Sequence, residues 1–391
     1  MTSKSKNIIL AIFTTFLFFS FLEFLSQVAL INFFSEKKFN AYASHSQLKE
    51  RYGNSRLVAH RHLGYVTSPN FQFQANRHNS LGFRGEEFSI QKPDSVFRIV
   101  CLGGSTTYSD GVKDYKKSFP YLLEKNLQKN LEKKIEVING GIPGYTTLET
   151  LINFQTRILD LKPDLVIVYH CINDALARLV YPLEFYKGDY SGFLEAKSPF
   201  EKDSVFEEST ILRILMIRLG LIDSHNSITR ILKIPKTSLA NEFITQNKNG
   251  NYPSGVFTKK SAKEILEENQ SIFFERNLEN LILLAKANGI EIVFSTFAFS
   301  PFFENKVTFY EEFQIAIQEG NNIIKEIAEN SEISFFDFAS QMPQDTSFFT
   351  DGIHFTEKGN QLKANLFEKF LENKNLIQNK KASKSKELEG F

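Results

Sequence analysis

Apolar residues follow two different patterns along this chain. The first forty residues hold one dense run: Ile8 to Leu22 carries no charge, and after Glu23 the run resumes through Phe24-Leu25, Val28 to Ile31 and Phe33-Phe34. From about Phe97 onward, apolar residues come in short bursts separated by amphipathic stretches. Phe97–Leu102, Ile135–Asn139, Leu165–Tyr169, Ile290–Thr296 and Ile333–Phe338 each read as a buried strand, being brief apolar runs, several of them bounded by Gly or Pro. Between and after them, Ser118–Lys129, Thr147–Leu161, Ser261–Asn288, about Lys306–Glu329 and Thr356–Phe370 carry apolar residues at helical spacing. Five strands alternating with helices predict a parallel sheet covered on both faces, a three-layer α/β domain over residues 95–372.

The N-terminal run is a different object. Roughly 20 apolar residues cross a bilayer, so residues 1–35 suffice for a transmembrane helix if Glu23 is tolerated. A charge in mid-helix costs a few kcal/mol on insertion scales, so Glu23 is expected toward one interface or against a partner. A cleaved signal peptide is the competing reading, because Ile8–Leu22 has the length of its apolar core. The nearest small-residue site, around Gln27-Val28-Ala29, is a poor cleavage signal, which favours an uncleaved anchor. Lys4 and Lys6 before the span predict a cytoplasmic N-terminus and an extracytoplasmic, periplasmic bulk.

Residues 36–94 are polar and irregular and read as a connecting segment packed on the domain edge. Within the turn-rich Asn79-Ser80-Leu81-Gly82-Phe83-Arg84-Gly85, a structural salt bridge is expected for Arg84. An insertion at about 178–255 breaks the alternation. Its amphipathic run, Ile211 to Leu219, fits a lid over the site or a plain packing helix. The tail, 373–391, is rich in Lys and Ser and reads as disordered.

Charge narrows the choice of partner: 46 Lys+Arg against 45 Asp+Glu gives +1, with no basic excess to hold nucleic acid. Cys101 and Cys171 make no disulfide framework and read as two free thiols in the core. No zinc spacing is present, so no metal or cofactor is expected.

In a parallel α/β sheet, ligands bind at the carboxyl ends of the strands. Four polar loops fall there: Gly103-Gly104-Ser105-Thr106-Thr107, Gly140 to Thr146, Ile172-Asn173-Asp174, and Thr350-Asp351-Gly352-Ile353-His354. Two glycines before Ser105 let the backbone turn tightly and expose the hydroxyl at a helix N-terminus. Serine is a weak nucleophile until a base takes its proton. His354 can do so, with Asp351 holding its other ring nitrogen. Amides of Ser105 and Gly144 and the Asn173 side chain can serve as oxyanion donors, each worth roughly 3–4 kcal/mol of barrier. Singly these signals are poor; their joint occurrence, in order and each at a strand end, points to catalysis.

That set of blocks resembles the SGNH (GDSL-like) hydrolase family. Gly103-Gly104-Ser105-Thr106-Thr107 matches its first block, Gly144 the second, Asn173-Asp174 the third and Asp351-Gly352-Ile353-His354 the last. The resemblance covers about Phe97 to Phe370 and implies a flavodoxin-like sheet, a Ser105-His354-Asp351 triad and ester hydrolysis without a metal. Two positions depart from the pattern. Gly104 replaces the Asp of the family's name motif, and Cys171 replaces a glycine two before the block-three Asn, where a side chain is expected to crowd the crevice. The elbow Gly-x-Ser-x-Gly of α/β-hydrolases is absent, since Thr107 holds its final position. The expected activity is a membrane-tethered serine ester hydrolase acting on carbohydrate O-acyl groups or a lipid ester. An O-acyltransferase on the same triad and an inactive glycan- or protein-binding relative are the alternatives.

Overall fold

Parallel strands buried on both faces must be apolar at nearly every position, and the first strand of the central sheet meets that demand: β1 (Val96–Gly103) is buried throughout. The computed structural model describes residues 3–52, 56–179, 186–189, 195–196, 208–222, 232–233 and 261–377. Four more strands join β1: β2 (Lys134–Asn139), β3 (Leu165–Tyr169), β4 (Glu291–Ser295) and β5 (Ser334–Phe336). Their order is β5-β4-β3-β1-β2, and every pairing is parallel. Val100 stands opposite both Ile138 and Val166, and Phe294 opposite Val168. The chain steps from β1 to one side for β2 and to the other for β3, so a crevice opens beyond the carboxyl ends of β1 and β3.

Seven helices matter here: α1 (Ser3–Asn32), α2 (Phe119–Asn130), α3 (Thr147–Asn153), α4 (Thr210–Arg218), α5 (Ile272–Ala287), α6 (Glu311–Asn330) and α7 (Glu357–Asn373). Side chains alternate across the sheet and build two core layers. On one face Ile99, Cys101, Ile167 and Val293 pack with Leu123 of α2 and Phe367 of α7. On the other Val100, Leu102, Val166 and Phe294 pack with Phe154, Ile158 and Leu281 of α5. The five expected strands and the flavodoxin-like order are therefore present.

Several helix boundaries differ from the periodic reading. The stretch 261–288 is two helices, Ala262–Glu268 and α5. Arg178 holds the break: its guanidinium donates to the Asn269 and Ser271 oxygens at 2.5 and 2.8 Å, and Asn269 Nδ2 returns a bond to the Arg178 carbonyl at 2.5 Å. The helix expected from Thr147 continues past α3 as a π turn over Phe154–Ile158 and a 3-10 turn over Leu159–Leu161. A 3-10 turn, Val307–Phe309, precedes α6.

Residues 36–94 carry more structure than their irregular sequence suggests: helices Glu36–Tyr42 and His45–Tyr52, an antiparallel hairpin of Leu57–His60 with Gly64–Thr67, and a second of Gln72–Phe73 with Asn76–Arg77. Arg84 overturns the expected salt bridge. Its guanidinium donates to the carbonyls of Tyr108, Ser109 and Val112 at 2.6–2.8 Å and to Asn76 Oδ1 at 2.7 Å. Satisfying the backbone of the loop behind Ser105 is its use, and no carboxylate closes on it among the described residues.

The N-terminal helix α1 is long and apolar enough to cross a membrane, with that window unburied. Within the insertion, the amphipathic run lies in α4, Thr210–Arg218, which packs on α1 and on the Glu36–Tyr42 helix. Most of 178–255, and the tail from 378, lie outside the described residues.

Candidate active site

The four polar loops meet at the switch point. Leaving β1, the chain turns through Gly104 and opens a short helix, Ser105–Tyr108, with Ser105 half-buried at its first position. A Cβ at Gly104 would come within 2.5 Å of Asn173 Nδ2, so glycine is what lets the two loops close on each other. Asn173 lies in the first turn of the helix Ile172–Ala177 after β3, and its Nδ2 donates to the Tyr145 carbonyl at 2.8 Å. Gly144 precedes that tyrosine at φ +83, a conformation glycine favours.

His354 arrives from the far end of the chain, 249 positions from Ser105. Its Nε2 is 2.7 Å from Ser105 Oγ, and its Nδ1 is 2.7 Å from Asp351 Oδ2. The turn is held from both sides. Asp351 Oδ1 accepts the amides of Ile353 and His354 at 3.2 and 3.0 Å, while Thr350 N donates back to the His354 carbonyl at 2.8 Å. Ser300, in the loop after β4, donates its amide to the Gly352 carbonyl at 2.8 Å. Burial alone would raise the Asp351 carboxyl; the hydrogen bonds and charge of His354, with the two amides, outweigh it and hold the group below the usual carboxylate range. A carboxylate kept ionised there can orient the imidazole and stabilise its protonated form. With a fifth of the His354 side chain and a third of Asp351 exposed, the chain of contacts opens to solvent.

The loops carrying Ser105, Gly144, Asn173 and His354 thus meet at this crevice, and Ser105, His354 and Asp351 are hydrogen-bonded in series. Cys171 corrects one expectation. Its Sγ points away from the crevice into the core, 3.6 Å from the Ile317 carbonyl and against Gly320 of α6. It packs, and does not narrow the site. Both thiols are free and buried, and burial pushes Cys101 up to about 12.

Tyr65 was not visible as a site residue. It comes from the first N-terminal hairpin, and a Cβ at Gly144 would lie 2.6 Å from its hydroxyl. That hydroxyl donates to the Pro143 carbonyl at 2.7 Å, while the Tyr145 hydroxyl donates to the Tyr65 carbonyl. The two rings pack edge to face. The hairpin therefore walls the Gly144 loop.

A three-layer fold of this strand order with a hydroxyl, an imidazole and a carboxylate in series defines the serine hydrolases of the flavodoxin-like type. The sequence profile of the GDSL-like lipase/acylhydrolase family matches residues 101–362, two thirds of the chain, and the chain belongs to that family, the SGNH hydrolases. Among solved structures, it is similar to a lipase/acylhydrolase from Enterococcus faecalis (16% identity, TM-score 0.40, covering 71% of this chain and 96% of that one). It is also similar to a GDSL-like lipase from Bacteroides thetaiotaomicron (15% identity, TM-score 0.39, 71% and 88%). An acetyl-xylooligosaccharide esterase from Geobacillus Stearmophilus is a third (15% identity, TM-score 0.41, 70% and 94%). No curated protein matches the sequence.

Proposed function

We propose that this GDSL-like hydrolase is a membrane-tethered ester hydrolase working outside the cytoplasm on O-acyl groups of a surface carbohydrate or on a lipid ester. Ser105 attacks the acyl carbonyl while His354 takes its proton, and Asp351 stabilises the imidazolium. The tetrahedral oxyanion is received by the amides of Ser105 and Gly144 and by Asn173 Nδ2. Collapse expels the alcohol, protonated by His354, and leaves an acyl-enzyme on Ser105. Water, activated by the same imidazole, then releases the acid.

One observation carries this reading: the unbroken series Asp351 Oδ2, His354 Nδ1, His354 Nε2, Ser105 Oγ, with both links at 2.7 Å. Tethering rests on α1, whose apolar surface and leading lysines fit an anchor with its following domain on the far side of the bilayer. The test is labelling of the detergent-solubilised chain with a fluorophosphonate probe, alongside hydrolysis of aryl esters graded by acyl length. Parent protein labels at Ser105 and cleaves short-chain esters; Ser105→Ala and His354→Ala do neither. Equal labelling of parent and Ser105→Ala would remove Ser105 from the mechanism.

A further inference from the structure

The helix α4 is built inside out for water. Its two fully buried residues are polar, Thr210 and Arg213 at 2% and 1% exposed, while Leu212, Leu215 and Leu219 stand 41%, 47% and 61% exposed along one face. Residues three and seven apart share a helical face, so these leucines form a single outward stripe. An amphipathic helix on a soluble surface shows the opposite arrangement.

What α4 turns inward explains the stripe. Glu23, the one charge inside the apolar run of α1, accepts from Ser209 Oγ at 2.8 Å and from the amides of Thr210 and Ile211 at 2.6 and 3.3 Å. The carboxylate of one helix thereby caps the amino end of the other, where the helix dipole favours a negative charge. Arg213 donates to the Tyr42 carbonyl at 2.7 Å and to Gln47 Oε1 at 2.9 Å, fixing the same helix to the segment that follows α1. A span of about 20 residues beginning after Lys6 ends near Gln27. At about 1.5 Å per residue, Glu23 then lies about 6 Å inside the outer boundary of the hydrocarbon. An uncompensated carboxylate at that depth is costly, and the polar end of α4 is its compensation.

We infer that α4 is a second membrane element: it lies in the outer leaflet beside α1, docked through Glu23, with Leu212, Leu215 and Leu219 against phospholipid acyl chains. This rests on the reading of α1 as an anchor. The occupant of the leucine face is a bilayer because α4 docks directly on α1, the anchor helix, where Phe16, Phe19 and Phe24 are likewise exposed. An exposed apolar stripe on a helix docked against a membrane span suits an interface helix. Fixed to the membrane through two elements, the hydrolase domain is restrained from rotating about α1.

The chain contains no Trp, so single substitutions report local environment directly. Leu215→Trp and Phe16→Trp, each in the full chain, are reconstituted in phosphatidylethanolamine/phosphatidylglycerol vesicles carrying an acyl-brominated phospholipid. Ile90→Trp, on the exposed connecting segment beside the hydrolase domain, serves as the aqueous reference. Expected are loss of most of the emission for Leu215→Trp and Phe16→Trp, and none for Ile90→Trp. Quenching of Phe16→Trp without Leu215→Trp overturns the inference while the anchor stands. Failure of Phe16→Trp to quench removes the anchor, and this inference with it. Protection of Leu215→Trp from both bromolipid and acrylamide means that protein covers the stripe, and overturns the inference too. Adding Glu23→Ala to Leu215→Trp should lower its quenching while Phe16→Trp in the same background stays quenched; undiminished quenching at 215 would overturn the docking through Glu23.

Discussion

Two hydroxyl–histidine–aspartate constellations stand beside each other in this molecule. In the crevice, Ser105, His354 and Asp351 are linked at 2.7 Å and 2.7 Å. Behind it, Thr150 Oγ1 lies 2.7 Å from His170 Nε2, and His170 Nδ1 lies 3.8 Å from Asp174 Oδ2. Residue types and order are nearly the same; the surroundings are not. Thr150, His170 and Asp174 are all buried, and burial pushes His170 down to about 3 and Asp174 up to about 7. With His170 neutral, the 3.8 Å approach is not an ion pair. Asp174 instead spends Oδ1 on the amide and hydroxyl of Thr147 at 2.9 and 2.6 Å, tying the start of α3 to the Asn173 turn. Access to solvent and a paired, ionised carboxylate separate the proposed reactive site from a buried brace.

The largest expected effect breaks the symmetry between the two hydroxyls. Ser105→Ala should lower kcat on an aryl ester by about a million-fold, the cost of losing the nucleophile of such a triad. Thr150→Val should leave kcat within a few-fold of the parent and appear as lost stability of about 1–3 kcal/mol, because His170 keeps a buried nitrogen without its partner. Comparable losses of kcat in both would end the distinction.

A smaller effect separates neighbours in sequence. Asn173 faces the crevice and Asp174 the interior, so Gly104→Ala, whose new methyl would meet Asn173 Nδ2, should disturb only the first. A fall in kcat of about a hundredfold is expected, the scale of one lost oxyanion donor, with the melting temperature little changed. A variant of full activity would show that Asn173 can move without cost.

The smallest effect lies in pH, and its sign differs between the two aspartates. Asp174 has a folded value above its unfolded one, so the folded chain holds an extra proton between about pH 4 and 7 and loses stability as pH rises through that window. Asp174→Asn keeps the acceptor for Thr147 and should remove this loss, on the order of a few kcal/mol relative to the parent at neutral pH. Asp351 is depressed, so its contribution is present above the ordinary carboxylate value and disappears as pH falls through the folded one. Asp351→Asn should therefore cost stability at neutral pH and none in acid. Thermal melting of parent and variants across about pH 3 to 8 reads both slopes; parallel curves would contradict the opposed titrations.

Much of this was legible in the sequence for physical reasons. Strands such as Leu165–Tyr169 announce themselves because burial on both faces leaves room only for apolar side chains. Ser105, Asn173, Asp351 and His354 stood out because each follows a strand, where a sheet exposes its ligands. What stayed hidden depends on partners distant in the chain. Arg178 bonds to the gap between two helices 91 positions away, and no local pattern records that. Lys363, a charged residue of α7, is fully buried, with Nζ 3.3 Å from the centre of the Tyr169 ring. Burial drives that amine well below its ordinary value, toward the neutral form. The insertion, with Thr210 and Arg213 turned inward, is legible only once α1 stands beside it.

The reciprocal tyrosine bonds between the first hairpin and the Gly144 loop bear on how such enzymes can be cut and recombined. The family profile begins at residue 101, while the hairpin that backs Gly144 ends at Thr67. A fragment trimmed to the profile would inherit all of its signature residues and discard part of their scaffolding. Grafting experiments among relatives should therefore carry the hairpin with the core as one transplantable unit.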